Sequence, residues 1–225
     1  MFFFNYKLLQ SSMTNNSKEI ILIGYSGHAL TVIDAISSLN FEVNSYFDLK
    51  SNSNCLFDFE YLGDEKNFDF NKLKSNQYLF PAIGENSIRK KIVEFIESKK
   101  LKELLLIHQN AYIGLKTKIG NSSLVAAGVL INCASVIGKG CILNTGCIIE
   151  HEAEIGDFVH IGPGATLAGN VSIGELSFIG ANSTIKQGIR IGKNCIIGAG
   201  SVVLKDIPND SIFVGNPAKF LRKND

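Results

Sequence analysis

From Ile113 to Val203 an aliphatic residue returns at every sixth position: Ile113, Ile119, Val125, Ile131, Ile137, Leu143, Ile149, Ile155, Ile161, Leu167, Ile173, Ile179, Ile185, Ile191, Ile197 and Val203. Neither an amphipathic helix nor an alternating strand has this period. The next residue is often glycine (Gly114, Gly120, Gly138, Gly156, Gly162, Gly174, Gly180, Gly192, Gly198), and the residue two before is usually small, as at Thr117, Ser123, Ser135, Ala165, Ser183 and Ser201. Each unit therefore reads as a short strand with its aliphatic residue inward, followed by a corner that a small residue or glycine lets the chain turn. Three units close a triangular coil, and sixteen give about five stacked coils of a parallel β-helix. A single coil buries too little to stand alone, so stability comes from stacking and from caps at both ends.

Ahead of the repeat, EIILIGYSGHALTVIDAI (19–36) reads as a buried strand, a glycine turn and an amphipathic helix, the first half of a βαβ unit. Gly24 and Gly27 form G-x-x-G, short of a full dinucleotide fingerprint, but they set backbone N–H groups at a helix start where a phosphate can sit. A second strand, FEVNSYFD, ends on Asp48, an acid able to accept from a sugar hydroxyl or nucleobase, or to cap a turn. A third, QYLFPAIG, leads into ENSIRKKIVEFIESKK, with an apolar stripe at Ile88, Ile92 and Ile96 and its Lys and Arg on a solvated face. Residues 50–76 read as a variable loop holding one short strand near Phe57 to Leu62. The division expected is a tail (1–18), a small Rossmann-like parallel sheet with helices (19–106), a β-helix (107–206) and a closing segment (207–225). The expectation is that the chain starts at Met13 or else that residues 1–12 are a loose tail.

The 22 basic and 21 acidic side chains nearly cancel, which argues against nucleic acid or an anionic membrane as partner and for a small molecule. The apolar opening MFFFNYKLLQ lacks a basic n-region and is too short to span a bilayer. Five cysteines without C-x-x-C spacing read as reduced thiols of a cytoplasmic protein, with Cys141, Cys147 and Cys195 as small core fillers. Of His108, His151 and His160, no three have zinc-ligand spacing, so no metal is expected.

The order of motifs IGYSGHALTVIDAI, YFD, AIGENSIRKKI, IEHE and VGNPAK resembles the bacterial nucleotide-sugar N-acetyltransferases related to sialic acid O-acetyltransferases. The likeness is greatest to UDP-4-amino-sugar N-acetyltransferases of bacillosamine biosynthesis and runs from about Ile20 to Leu221. It implies a left-handed β-helix, a homotrimer with sites between subunits, acetyl-CoA held by the β-helix and the nucleotide sugar held by the N-terminal unit. Acetyl transfer to an amine needs a base and a donor to the oxyanion. The resemblance carries these roles to His151 as base and Glu152 as its assisting acid, and leaves Glu150 open. It implies sugar-nucleotide contacts at Gly24, Ser26, Gly27, His28, Asp48, Gly84 and Asn144, and acetyl-CoA contacts at His160, Gly169 and Lys219. Leu49 stands where the resembled enzymes carry a second acid, which loosens uridine specificity. Asn144 has a second reading as a left-handed corner residue. The alternative activity is O-acetylation of sialic acid or another sugar. A β-helix scaffold with a degenerate site is disfavoured by the intact E-H-E.

Overall fold

The computed structural model describes residues 18–51 and 56–224. Expectations for residues 1–12, Met13 and Cys55 lie outside them.

The N-terminal unit is a four-stranded parallel sheet of β1 (Glu19–Ile23), β2 (Glu42–Phe47), β3 (Glu60–Tyr61) and β4 (Gln77–Pro81), in the order β3-β2-β1-β4. Its helices are α1 (Gly27–Ser38) and α2 (Asn86–Ser98). The unbroken apolar run of β1 is explained by burial on both faces. Ile20 and Leu22 pack in the cluster with Ala29, Val32 and Ile36 of α1, while Ile21 and Ile23 pack with Ile92 and Ile96 of α2. Chain connections leave β1 toward β2 on one side and return to β4 on the other. A crevice therefore opens beyond the carboxyl ends of β1 and β4.

From Leu106 the chain winds into a left-handed parallel β-helix of two-residue strands. Each strand pairs with those eighteen residues away, as Val136↔Glu154, Ile142↔His160 and Ile148↔Thr166. The second residue of nearly every strand points inward, and these aliphatics form one continuous core with Cys141, Cys147 and Cys195 at the small phase, all fully buried. Burial pushes the thiols of Cys141 and Cys147 up to about 12, so they stay protonated. The repeat starts one unit before Ile113, because Leu106–Ile107 already pairs with Leu124–Val125. It ends where the register slips: Ile191 bridges Ile207, and Ile196 pairs with Ile212, sixteen residues on instead of eighteen. The strand Ser211–Val214 then folds back antiparallel with Lys219–Lys223.

The glycines of the repeat do a different job from the one expected. Left-handed backbone recurs every sixth residue from Lys116 to Gly200, three positions after the aliphatic, and is held there by Ser122, Ala134, Glu152, Phe158 and Leu176 as well as by Gly and Asn. The glycines directly after the aliphatic have no positive φ. They are required because a Cβ at Gly120 would lie 2.5 Å from the Lys139 nitrogen of the next coil, and one at Gly180 2.5 Å from that of Ala199. Glycine here permits coils to stack, not to turn.

One face of the prism carries Leu106, Leu124 and Ile142 on its outside, and these join the α1 side of the N-terminal core. The N-terminal unit is thereby docked on the β-helix along α1 and α2. The stripe expected at Ile88, Ile92 and Ile96 is shifted: Ile88 is exposed, and the buried face is Arg89, Ile92, Val93 and Ile96. The solvated role expected for the basic residues of this helix thus fails at Arg89.

Candidate active site

The crevice of the parallel sheet is shaped by absent side chains. Gly24 has φ +92°, and a Cβ there would lie 2.6 Å from Ile83 Cγ1 on the facing β4 loop. Ser26 is the extended N-cap of α1, but its side chain makes no capping hydrogen bond, and no acid stands in the first turn. Nothing lies within 4 Å of a Cβ built at Gly27. Ser26 and Gly27 are both exposed, so the start of α1 is uncovered, with the positive end of the helix dipole behind it. By contrast α2 fills its own terminus: Glu85 accepts from the N–H groups of Ser87 (3.1 Å) and Ile88 (2.6 Å). Asp48 accepts from Tyr25 N–H at 2.9 Å and Leu49 N–H at 2.7 Å, so the carboxylate anchors the glycine turn to the end of β2. Gly84, at the end of β4, faces His28, whose Cβ would lie 3.6 Å from a Cβ at Gly84.

The second group stands on the β-helix at the corner after the strand Ile148–Ile149. His151 Nδ1 lies 3.1 Å from Glu152 Oε2, with both side chains about half exposed or more. An Nδ1–H donating to the carboxylate fixes the tautomer and leaves Nε2 as the acceptor. Glu150 does not share in this: its Oε2 accepts from Asn132 Nδ2 at 2.7 Å, one coil below. Gly169 lies one coil above His151, and a Cβ there would be 2.6 Å from both Cε1 and Nε2 of the ring. Only glycine leaves the ring its place. Glu152 itself takes φ +59°, a left-handed conformation that costs a branched or long side chain roughly 1–2 kcal/mol.

A third group lies in the seam between the two units. His160 begins a strand and points out of the prism core, yet it is 9% exposed because the N-terminal unit covers it. Its Nδ1 lies 3.3 Å from the Gly84 carbonyl oxygen and its Nε2 3.3 Å from Asn144 Nδ2. Its ring meets Phe178 edge-on at 5.0 Å and His28 at 6.0 Å. Asn144 is not among the left-handed residues, which removes its reading as a left-handed corner. Burial, followed by the Arg89 charge, lowers His28 to about 4; burial, Arg89 and then His28 lower His160 to about 3. Both rings are neutral at physiological pH.

Arg89 is the residue that sequence reasoning missed. It is 1% exposed, and its five N–H groups go to Gly140 O, Ile83 O, Gly84 O, Asn86 Oδ1 and Phe158 O at 2.6–3.2 Å. These partners span the β4 loop, α2 and two successive coils. Its spacing from Ile92, Val93 and Ile96, the i, i+3, i+4, i+7 pattern of one helix face, was the available signal. Asn132 was missed too, and only the eighteen-residue register reveals it. Lys219 is exposed on the C-terminal hairpin, where it pairs with Val214. Among the described residues no group of three or more His, Cys, Asp or Glu is placed to hold a metal, and no helix is long and apolar enough to cross a membrane.

Residues 19–96 match the PglD N-terminal domain family, residues 134–169 the bacterial transferase hexapeptide family (six repeats), and residues 170–205 the hexapeptide repeat of succinyl-transferase. Among solved structures, the chain is similar to a histidine-to-asparagine mutant of perosamine N-acetyltransferase from Caulobacter crescentus in complex with CoA and GDP-perosamine. Identity is 30%, coverage 95% of this chain and 100% of that one, and the TM-score 0.85. The acetyltransferase domain of PglB from Neisseria gonorrhoeae, in complex with acetyl coenzyme A, shares 32% identity over 92% of this chain and 100% of that one, with a TM-score of 0.84. WeeI from Acinetobacter baumannii shares 27% over 91% and 100%, with a TM-score of 0.82. Fold and similarity together define a hexapeptide-repeat acetyltransferase. More narrowly, the chain belongs to the sugar N-acetyltransferases that join a PglD-type N-terminal domain to a left-handed β-helix.

Proposed function

We propose that this chain transfers the acetyl group of acetyl-CoA to the 4-amino group of an amino-deoxysugar carried on a nucleoside diphosphate. The observation that carries the reading is the His151–Glu152 pair under Gly169: one ring nitrogen is engaged by a carboxylate, and the other is open at the edge of a glycine. Acceptance of the amine proton by His151 Nε2, as nitrogen attacks the thioester, fits this arrangement. The bond formed is N–C(acetyl), the bond broken is C–S, and CoA leaves as the thiol. The Gly169 N–H is the proposed donor to the thioester oxygen. The open N-terminus of α1, with Ser26, Gly27 and Gly24, suits the diphosphate, and the neutral seam of His28, Gly84, Asn144 and His160 suits the sugar and the acetyl end of CoA.

Similar enzymes support this reading through their ligands, CoA with GDP-perosamine in one and acetyl coenzyme A in another. UDP as the carrier rests on sequence resemblance alone. So do the division of labour at about Leu106 and Lys219 as a CoA contact, while a cytoplasmic location rests on the cysteine usage. A homotrimer with sites between subunits belongs to the same reading. It is supported by the outer row Tyr112, Leu130 and Ile148, an apolar strip that leads into the His151 corner, and light scattering at micromolar protomer tests it.

The deciding experiment is a CoA-release assay over UDP-, dTDP- and GDP-linked 4-amino sugars, with free sialic acid alongside. Turnover of at least one nucleotide-linked amino sugar is expected. Turnover of sialic acid alone would replace the proposal with O-acetylation.

A further inference from the structure

One part of the nucleotide end is left unused by this chemistry: the aromatic segment beside Asp48. Phe57 is 40% exposed, yet its backbone is pinned. Its N–H donates to the Tyr25 hydroxyl at 3.1 Å, and its carbonyl accepts from the same hydroxyl at 3.2 Å. Tyr25 is buried, lies edge-on to Tyr46 and donates its own N–H to Asp48. The Phe57 ring runs parallel to that of Phe59, with 5.6 Å between centroids and 8° between planes, and Phe59 leans on Tyr25 at 5.5 Å. The ring is therefore backed by another ring and tied to the glycine turn, an arrangement that an idle surface phenylalanine does not need.

Its position follows the path of the substrate. With the amino sugar at the β-helix and the diphosphate at the start of α1, the nucleoside runs the other way, over the ends of β2 and β3. Asp48 stands at the carboxyl end of β2, and Phe57, three residues ahead of β3, is joined to it through Tyr25, whose N–H meets Asp48 and whose hydroxyl meets the Phe57 backbone. Asp48 accepts from two backbone N–H groups, which hold its carboxylate at the turn, while the Phe57 ring offers a base its face.

We propose that Phe57 is the platform on which the nucleobase of the nucleotide sugar stacks, so that the base is held by its π-face rather than read by its edge. This rests on the nucleotide-sugar reading above. Since every base has a π-face, the site tolerates several bases, and its affinities for UDP, dTDP and GDP fall within about tenfold of one another.

The sequence contains no tryptophan, so Phe57→Trp places a single fluorophore at the platform. Titration with UDP or GDP is expected to quench its emission saturably, while pyrophosphate does not. In calorimetry, Phe57→Ala and Phe57→Leu are both expected to weaken UDP binding about 5- to 150-fold, the range of one base–aromatic stack, with acetyl-CoA binding unchanged. Leu keeps the apolar bulk and loses only the ring. Wild-type binding of UDP without quenching in Phe57→Trp, or full affinity in Phe57→Leu, overturns the proposal. A wild-type protein that binds no nucleoside diphosphate overturns the nucleotide-sugar reading itself, and the platform with it.

Discussion

Glu152 occupies the left-handed position that recurs once in each six-residue unit, a position that glycine or asparagine fills in most of the other units at less cost. A glutamate is kept there at the expense of stability, and its contact with His151 is half exposed, where such pairs stabilise by less than about 1 kcal/mol. Glu152→Gly is therefore expected to be as stable as the wild type or more so, by up to roughly 1 kcal/mol or about 2–4 °C in Tm. The same change should lower kcat roughly ten- to hundredfold by freeing the His151 tautomer. Thermal melts beside CoA-release kinetics check this; a lower Tm with unchanged kcat would mean that the residue serves the corner only.

The buried histidines give a second prediction at this scale. Their folded pKa values, about 4 for His28 and about 3 for His160, lie below the ordinary 6.5. Between pH 6.5 and 4 the unfolded chain therefore takes up protons that the folded chain refuses. Stability from these groups is complete above pH 6.5 and is lost as pH falls through that window. Denaturant midpoints at fixed protein concentration should drop between pH 7.5 and 5, and His28→Gln with His160→Asn should reduce the drop. An equal drop in the double variant would place the effect elsewhere.

At the scale of elements, the seam between α2 and the β-helix sets the distance between the two halves of the site. Arg89 joins the Gly84 loop to the coils at Gly140 and Phe158, while Lys90–Glu175 and Lys139–Glu97 flank it at 2.6 Å each. The flanking pairs are partly exposed and add little. The buried cation is different, since Arg89→Met would leave several carbonyl oxygens buried without donors. A loss of about 2–5 kcal/mol is expected, with KM rising more for the nucleotide sugar than for acetyl-CoA. Denaturation and steady-state kinetics measure both, and equal rises in the two KM values would contradict the role of the seam.

The β-helix was legible because the inward phase of a six-residue unit admits only aliphatic side chains, and Ile113 to Val203 obey it without exception. The βα turn was legible through Gly24 and Gly27. What stayed hidden depends on stacking. No local pattern shows that Gly169 sits over His151, that Asn132 occupies Glu150, or that His160 is buried by a unit 76 residues earlier in the chain. The repeat glycines were visible, but their reason, backbone crowding from the next coil, was not.

Over the whole molecule, the eighteen-residue coil converts sequence distance into stacked columns, and docking of the N-terminal sheet on one face brings its crevice toward the outer residues Ile142 and His160. The arrangement matters functionally only if the open nitrogen of His151 takes the proton of the amine. The most direct measurement is single-turnover CoA release by His151→Ala, with the preferred nucleotide-linked amino sugar saturating and folding confirmed by circular dichroism. A fall in rate of about 10²–10⁴ is expected, the usual contribution of a positioned general base. A rate within about threefold of the wild type would contradict the role of His151.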